Sequence, residues 1–104
     1  MELAGCTGCV AVLKGPASII SDGNISFINT TGNSGLATAG SGDVLSGIIG
    51  SFMNTPVPVI KAAIAGVYIH GMCADIYSET RTSSTMRASD IISTIRTAVY
   101  KKYI

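Results

Sequence analysis

At 104 residues, with 7 Lys and Arg against 6 Asp and Glu, the chain can hold one packed core, and its net charge of +1 leaves no basic stripe for nucleic-acid binding. A hydrophobic fraction of 47% and a mean hydropathy of +0.47 exclude a disordered segment. No uninterrupted apolar run reaches the ~18 residues of a membrane span, and Met1 to Gly8 lacks a secretory signal's basic start and apolar middle. The expected setting is therefore cytoplasmic, with no membrane partner.

Three cysteines, an odd number, fit reduced thiols better than a disulfide framework. Cys6 and Cys9 have C-x-x-C spacing, but a zinc site needs four ligands, and only His70 and Cys73, on one distant helix, are left to supply them. Cys9 is read instead as a small hydrophobe at the start of a buried strand. Val10 to Leu13 is a short, partly β-branched run, expected to be a buried strand of a largely parallel sheet, and Pro16 ends it. Lys14 then stands at the strand's C-terminal edge, where open α/β sheets place ligands, or it is simply a solvated strand end. Ser18 to Ser21 and Ile25 to Asn29 flank Asp22-Gly23-Asn24, a hairpin signal.

The stretch Thr30 to Met53, TTGNSGLATAGSGDVLSGIIGSFM, is the most unusual. Gly32, Gly35, Gly40 and Gly42 crowd one loop, suggesting positive φ or a backbone that closely approaches a ligand. From Asp43, the residues Val44, Leu45, Ile48, Ile49, Phe52 and Met53 recur at helical spacing. The loop thus feeds a helix N-terminus, whose unpaired N–H groups and positive dipole end make an anion site. The other reading is a tight turn that lets helix and strand pack closely. It is not a Walker A loop, since Ser41 stands where that motif needs lysine, and it does not fit GxGxxG. Gly47 and Gly50 are expected to give the helix a face for close packing.

Two prolines break the chain between Asn54 and Pro58, and Pro58 suits the first turn of a long helix running to about Ser78. Ile60, Ile64, Val67, Gly71 and Ala74 mark one face of that helix, and Ala62, Ala63, Ala65 and Gly66 make it slim. His70 is read as a satisfied core histidine, and Asp75 as a cap or a partner of Arg81. Thr80 to Ala88 is polar loop. Ser89 or its neighbour then caps a last helix carrying Ile91, Ile92, Ile95 and Val99, with Lys101 and Lys102 at its negative end.

NSGLATAGSGDVLSGIIGSF resembles the anion-hole loop and following helix of the ribokinase-like superfamily, in which a glycine-rich turn ends in GxGD. VAVLKGPASIISDGNISFIN before it, with AAIAGVYIHGMCADIYSE and RASDII after it, resemble the ADP/ATP-dependent NAD(P)H-hydrate dehydratase family in order and spacing. The resemblance implies an α/β chain, the C-terminal part of a three-layer α/β/α fold with short strands followed by three helices. Because the family's domain is much longer, the chain reads as a single partial domain, a fragment or truncated product, with much of the dinucleotide pocket supplied by the remainder. A truncated sheet would leave an open edge inviting homo-oligomers.

By the same resemblance, Lys14, Gly15, Pro16, Ala17, Ser18, Asn33, Ser34, Gly40, Ser41 and Gly42 bind nucleotide, and Ala39 to Gly42 form the anion hole. Asp43 binds the hydrate and takes its proton. The implied reaction phosphorylates the hydroxyl of hydrated NADH or NADPH (NAD(P)HX) at the expense of ADP or ATP, with Mg²⁺ bridging nucleotide oxygens and no metal held by the protein alone. Loss of phosphate then restores the cofactor. Ala39 departs from the family where glycine is frequent, which strains the loop only if that residue needs positive φ. Other readings are a small-molecule kinase acting on a sugar or hydroxymethylpyrimidine, or a non-catalytic module.

Overall fold

The computed structural model describes residues 9–14 and 17–103. Three short strands, β1 (Ala11–Leu13), β2 (Ile19–Ser21) and β3 (Ser26–Ile28), form one sheet in the order β1-β2-β3. Three helices follow: α1 (Ser41–Met53), α2 (Val59–Ser78) and α3 (Ala88–Tyr103). A 3₁₀ turn at Ser34–Ala37 precedes α1, and another at Ser83–Thr85 precedes α3.

The sheet corrects one expectation. Both strand pairs are antiparallel, with Val12 opposite Ile20 and Ile20 opposite Phe27. A parallel pair needs a crossover of about a dozen residues, and the connection from Leu13 to Ile19 is too short to provide one. Nor is β1 buried: Ala11 and Val12 are half-buried, Leu13 is exposed, and Cys9 lies exposed ahead of the strand. The hairpin forms where expected. Gly23 takes φ +95°, and the Asp22 carboxylate accepts the N–H groups of Asn24 and Ile25, both at 2.9 Å. Those bonds hold its carboxyl below the usual carboxylate range. All three residues of β3 are exposed.

Two packed clusters hold the helices. Ile20 of β2 meets Leu45 of α1 and Ala63 and Val67 of α2, while Ile69, Cys73, Ala74 and Tyr77 of α2 pack with Met86, Ile91 and Ala98. The central α2 is therefore buried on several sides. It is also long and apolar enough, at a hydropathy of 1.4, to cross a membrane by length and composition, contrary to the expectation that no segment is; half of that window is buried inside the fold.

Of the two small-residue faces expected, that of α2 makes the close contact and that of α1 does not. A Cβ at Gly47 or Gly50 would meet nothing within 4 Å, whereas one on Gly66 would reach 2.5 Å from Ile49 Cγ1 of α1. Helix crossings are set by the small residue at the point of closest approach, and here α2 provides it. At the start of α3, Asp90 rather than Ser89 does the capping: its carboxylate accepts the Arg87 N–H at 2.9 Å. Arg81 lies over the Tyr77 ring, 5.5 Å from its centroid, while the Asp75 carboxylate turns to Gly32 and Asn33 of the loop before α1.

Candidate functional site

The entry to α1 is built by a left-handed glycine. Gly40 occupies the N-cap at φ +84° and supplies no side chain, so the first turn is left to backbone geometry. The helix therefore begins at Ser41, two residues before Asp43. Among the described residues, Ser41 N–H finds Thr38 O at 3.3 Å and Val44 N–H finds Gly40 O at 3.1 Å, while the N–H groups of Gly42 and Asp43 take no carbonyl. Ala39 does not have positive φ, so alanine there carries no backbone strain.

Lys14, arriving from the end of β1, brings its ammonium over this helix mouth. A Cβ built on Gly42 would lie 2.8 Å from Lys14 Nζ. Side-chain charge and helix dipole are both positive there, and placing them together is favourable once an anion lies between them. A cavity of about 740 Å³ opens at this point.

Six of the expected nucleotide residues line that cavity: Lys14, Ser18, Asn33, Ser34, Ser41 and Gly42. Ala17 is exposed, and Ala39 and Gly40 stand at the turn without lining the cavity. Gly15 and Pro16, like Cys6 of the C-x-x-C pair, lie outside the described residues. Asp43 sits in the first turn of α1 with its side chain exposed to solvent, beside the cavity and not in its wall.

Several polar groups here already have protein partners. Asn33 Oδ1 accepts the Gly35 N–H at 2.8 Å, and its amide nitrogen donates to Ser78 Oγ at 2.9 Å. Asp75 accepts the Gly32 N–H at 3.0 Å and the Asn33 amide at 3.4 Å, which makes it an anchor of the glycine-rich loop. The Thr31 hydroxyl donates to the Tyr68 carbonyl at 2.9 Å. His70, 5% exposed, places Nε2 3.0 Å from both Ser41 Oγ and Ser41 O. Burial lowers the His70 pKa, the Ser41 carbonyl opposes that shift, and Lys14 adds to it.

Residues that line the cavity without having been assigned to it from the sequence include Asn29, Thr31, Leu36, Thr38, Val67 and His70. His70 is a core histidine, as expected, yet its polar edge faces the site. Among the described residues no cluster of three His, Cys, Asp or Glu is arranged to hold a metal.

A positive helix mouth joined by a lysine from the end of β1 can hold an anion, and this order of strands and helices is that of solved ribokinase-like proteins. The fold is shared with a ribokinase-like superfamily protein from Enterococcus faecalis, 32% identical, with a TM-score of 0.79 over 96% of this chain and 34% of that one. It is shared also with the ADP/ATP-dependent NAD(P)H-hydrate dehydratase from Bacillus subtilis co-crystallized with ATP/Mg²⁺, 29% identical, with a TM-score of 0.91 over 96% of this chain and 36% of that one. Residues 1–97 match the family model described as NAD(P)H-hydrate dehydratase. The chain belongs to the NAD(P)H-hydrate dehydratase family.

Two curated relatives agree. An ADP-dependent (S)-NAD(P)H-hydrate dehydratase of Neisseria meningitidis serogroup B is 49% identical over 80 residues, which is 76% of this chain and 27% of that protein. The bifunctional NAD(P)H-hydrate repair enzyme Nnr of Escherichia coli K12 is 39% identical over 93 residues, 88% of this chain and 18% of that protein. The chain thus spans about a quarter or less of the length of these two relatives.

Proposed function

We propose that this chain carries the phosphate-gripping end of an ADP- or ATP-dependent NAD(P)H-hydrate dehydratase. The observation that carries the reading is the Lys14 ammonium set over Gly42, where the N–H groups of Gly42 and Asp43 have no carbonyl among the described residues. Charge that spreads over the equatorial oxygens of a migrating phosphoryl group is stabilised by fixed donors of this kind.

The donor's terminal phosphoryl group moves to the hydrate hydroxyl: a new O–P bond forms as the bond to the departing nucleotide breaks. Asp43, solvent-facing in the same turn, orients the hydroxyl and takes its proton late in a loose transition state. Phosphate then leaves with the electrons of the C–O bond while the neighbouring ring carbon gives up a proton to solvent, and the C=C bond so formed restores the dihydronicotinamide. Ala17, Ser18, Ser34 and Ser41 line or flank the nucleotide's path. Asn33 shapes it through the loop, and Ala39 to Gly42 form its turn. Gly15 and Pro16 are assigned to the same segment by family likeness.

Magnesium fits this donor set in one way only. Mg²⁺ keeps several waters and would be held chiefly by the nucleotide's phosphate oxygens, since the described residues offer no cluster of three His, Cys, Asp or Glu to hold it. When bound, it would neutralise charge on the nucleotide oxygens.

We place the protein in the cytoplasm, in keeping with an odd number of cysteines, which fits reduced thiols better than a disulfide framework. The exposed Ile25, Phe27 and Ile28 around β3 favour self-association. Because the chain covers a limited share of its relatives, the 104 residues alone are expected to bind nucleotide without turning over hydrate.

Calorimetric titration with ADP and ATP tests the site, and recovery of NADH absorbance from hydrated NADH tests turnover. No binding of either nucleotide by the folded chain would overturn the phosphate-site reading. A stable phosphorylated alcohol in place of NADH and phosphate, from an enzyme containing this segment, would point to a kinase.

A further inference from the structure

We propose that His70 is a positioning residue for the helix mouth: through Ser41 it fixes the direction of the Gly42 and Asp43 N–H groups, and it does so from the same helix that ties down the far end of the loop. The inference rests on the phosphate-site reading for its purpose, though not for its geometry.

Nε2 of His70 lies 3.0 Å from the Ser41 carbonyl oxygen and 3.0 Å from Ser41 Oγ. A carbonyl only accepts, so a single Nε2–H directed between the two oxygens satisfies both contacts and defines the tautomer. Ser41 is the first residue of α1 and is 4% exposed. The two peptide units after it carry the N–H groups without carbonyl partners. Rotation of Ser41 about its own backbone would redirect those N–H groups, and the buried imidazole opposes that rotation.

The loop's other end hangs on α2 as well. Tyr68 O holds the Thr31 hydroxyl, Asp75 holds the Gly32 N–H, and between them Gly71 leaves room for the Thr31 backbone. Tyr68, Gly71 and Asp75 lie at i, i+3 and i+7, one face of the helix. His70, one residue off that row, reaches the opposite end of the loop. Residues 31 to 41 are thus clamped at both ends to one rigid element. A histidine filling only apolar space would leave Ser41 free of it.

The test uses the 104-residue chain, inorganic phosphate as probe, and nuclear magnetic resonance of the Gly42 and Asp43 amides. Phosphate should shift both resonances in the parent. Replacing His70 by alanine should weaken that response about tenfold, the scale of one to two lost hydrogen bonds. Replacing it by glutamine, which can donate from a similar position, should restore binding to within about threefold of the parent. Equal phosphate affinity in parent and His70→Ala would overturn the proposal, as would equal losses in the alanine and glutamine variants.

A second measurement needs neither ligand nor variant. In phosphate-free buffer the Gly42 and Asp43 amides should follow the protonation of His70 as pH is lowered. The charged group that shares the cavity with the ring is Lys14, and α1 brings Asp43 to the same turn as Ser41. Amides that ignore the His70 titration would sink the assignment. If phosphate fails to move the parent's amides, the phosphate-site reading falls, and this titration still decides what His70 does.

Discussion

Alanine in place of two helical glycines should move stability in opposite directions. In a helix interior alanine is favoured over glycine by about 1 kcal/mol. A Cβ at Gly47 meets nothing within 4 Å, so Gly47→Ala should keep most of that gain, roughly 0.5–1 kcal/mol. A Cβ at Gly71 would lie 2.7 Å from the Thr31 carbonyl carbon and 2.8 Å from its oxygen. Those atoms are backbone and cannot rotate away, so overpacking of about 1–3 kcal/mol falls at its upper end and exceeds the helical gain. The expected outcome for Gly71→Ala is a net loss of about 1–2 kcal/mol. The two variants should then differ by roughly 1.5–3 kcal/mol in urea unfolding followed by circular dichroism. In a chain this size each kcal/mol moves the thermal midpoint by about 4–8 °C. A Gly71→Ala protein as stable as the parent, or a Gly47→Ala protein less stable than it, would refute the packing argument.

Lys14→Met should weaken ADP binding about tenfold or more and reduce its salt dependence, both readable by calorimetry. Asp43→Asn, in an enzyme that contains this segment, should lower turnover by at least about a hundredfold with nucleotide affinity little changed; activity within a few-fold of the parent would remove Asp43 as the proton acceptor. Because burial depresses the His70 pKa, the unfolded chain binds the proton first on acidification. Stability should therefore be full above the histidine's ordinary pKa and fall as pH drops below about 6.5, and His70→Gln should flatten that part of the profile. Burial pushes the Cys73 thiol up to about 11, so it should resist thiol reagents in the native state and react only once the chain is unfolded, as labelling with and without urea would show.

The sequence made the helices and hairpin legible because their signals are local. Pro58 and the apolar spacing after it mark α2, and Asp22-Gly23-Asn24 marks the turn between β2 and β3. The glycine crowding also marked the helix mouth, although Gly40 sets its start and Asp43 comes two residues later. Strand direction was not legible: Val10 to Leu13 reads the same in a parallel or an antiparallel sheet, and only the short connection to β2 decides. The partners of His70 and Asp75 were equally hidden. Their contacts with Ser41 and Gly32 join residues 29 and 43 positions apart, and neither residue type has a spacing rule that reaches so far. Gly47 and Gly50 show the converse error, in which small residues suggested contact on a face that packs against nothing within 4 Å of the missing Cβ atoms.

Hanging both ends of the loop on α2 makes that helix intolerant of length change. Adding or deleting one residue between Val59 and Tyr68 would turn the segment beyond it by about 100° relative to the helix start. Tyr68, His70, Gly71 and Asp75 would leave their partners together, and the loop would lose both attachments in one event. An extra residue between Leu36 and Thr38, inside the clamped span, would leave every one of those attachments in place.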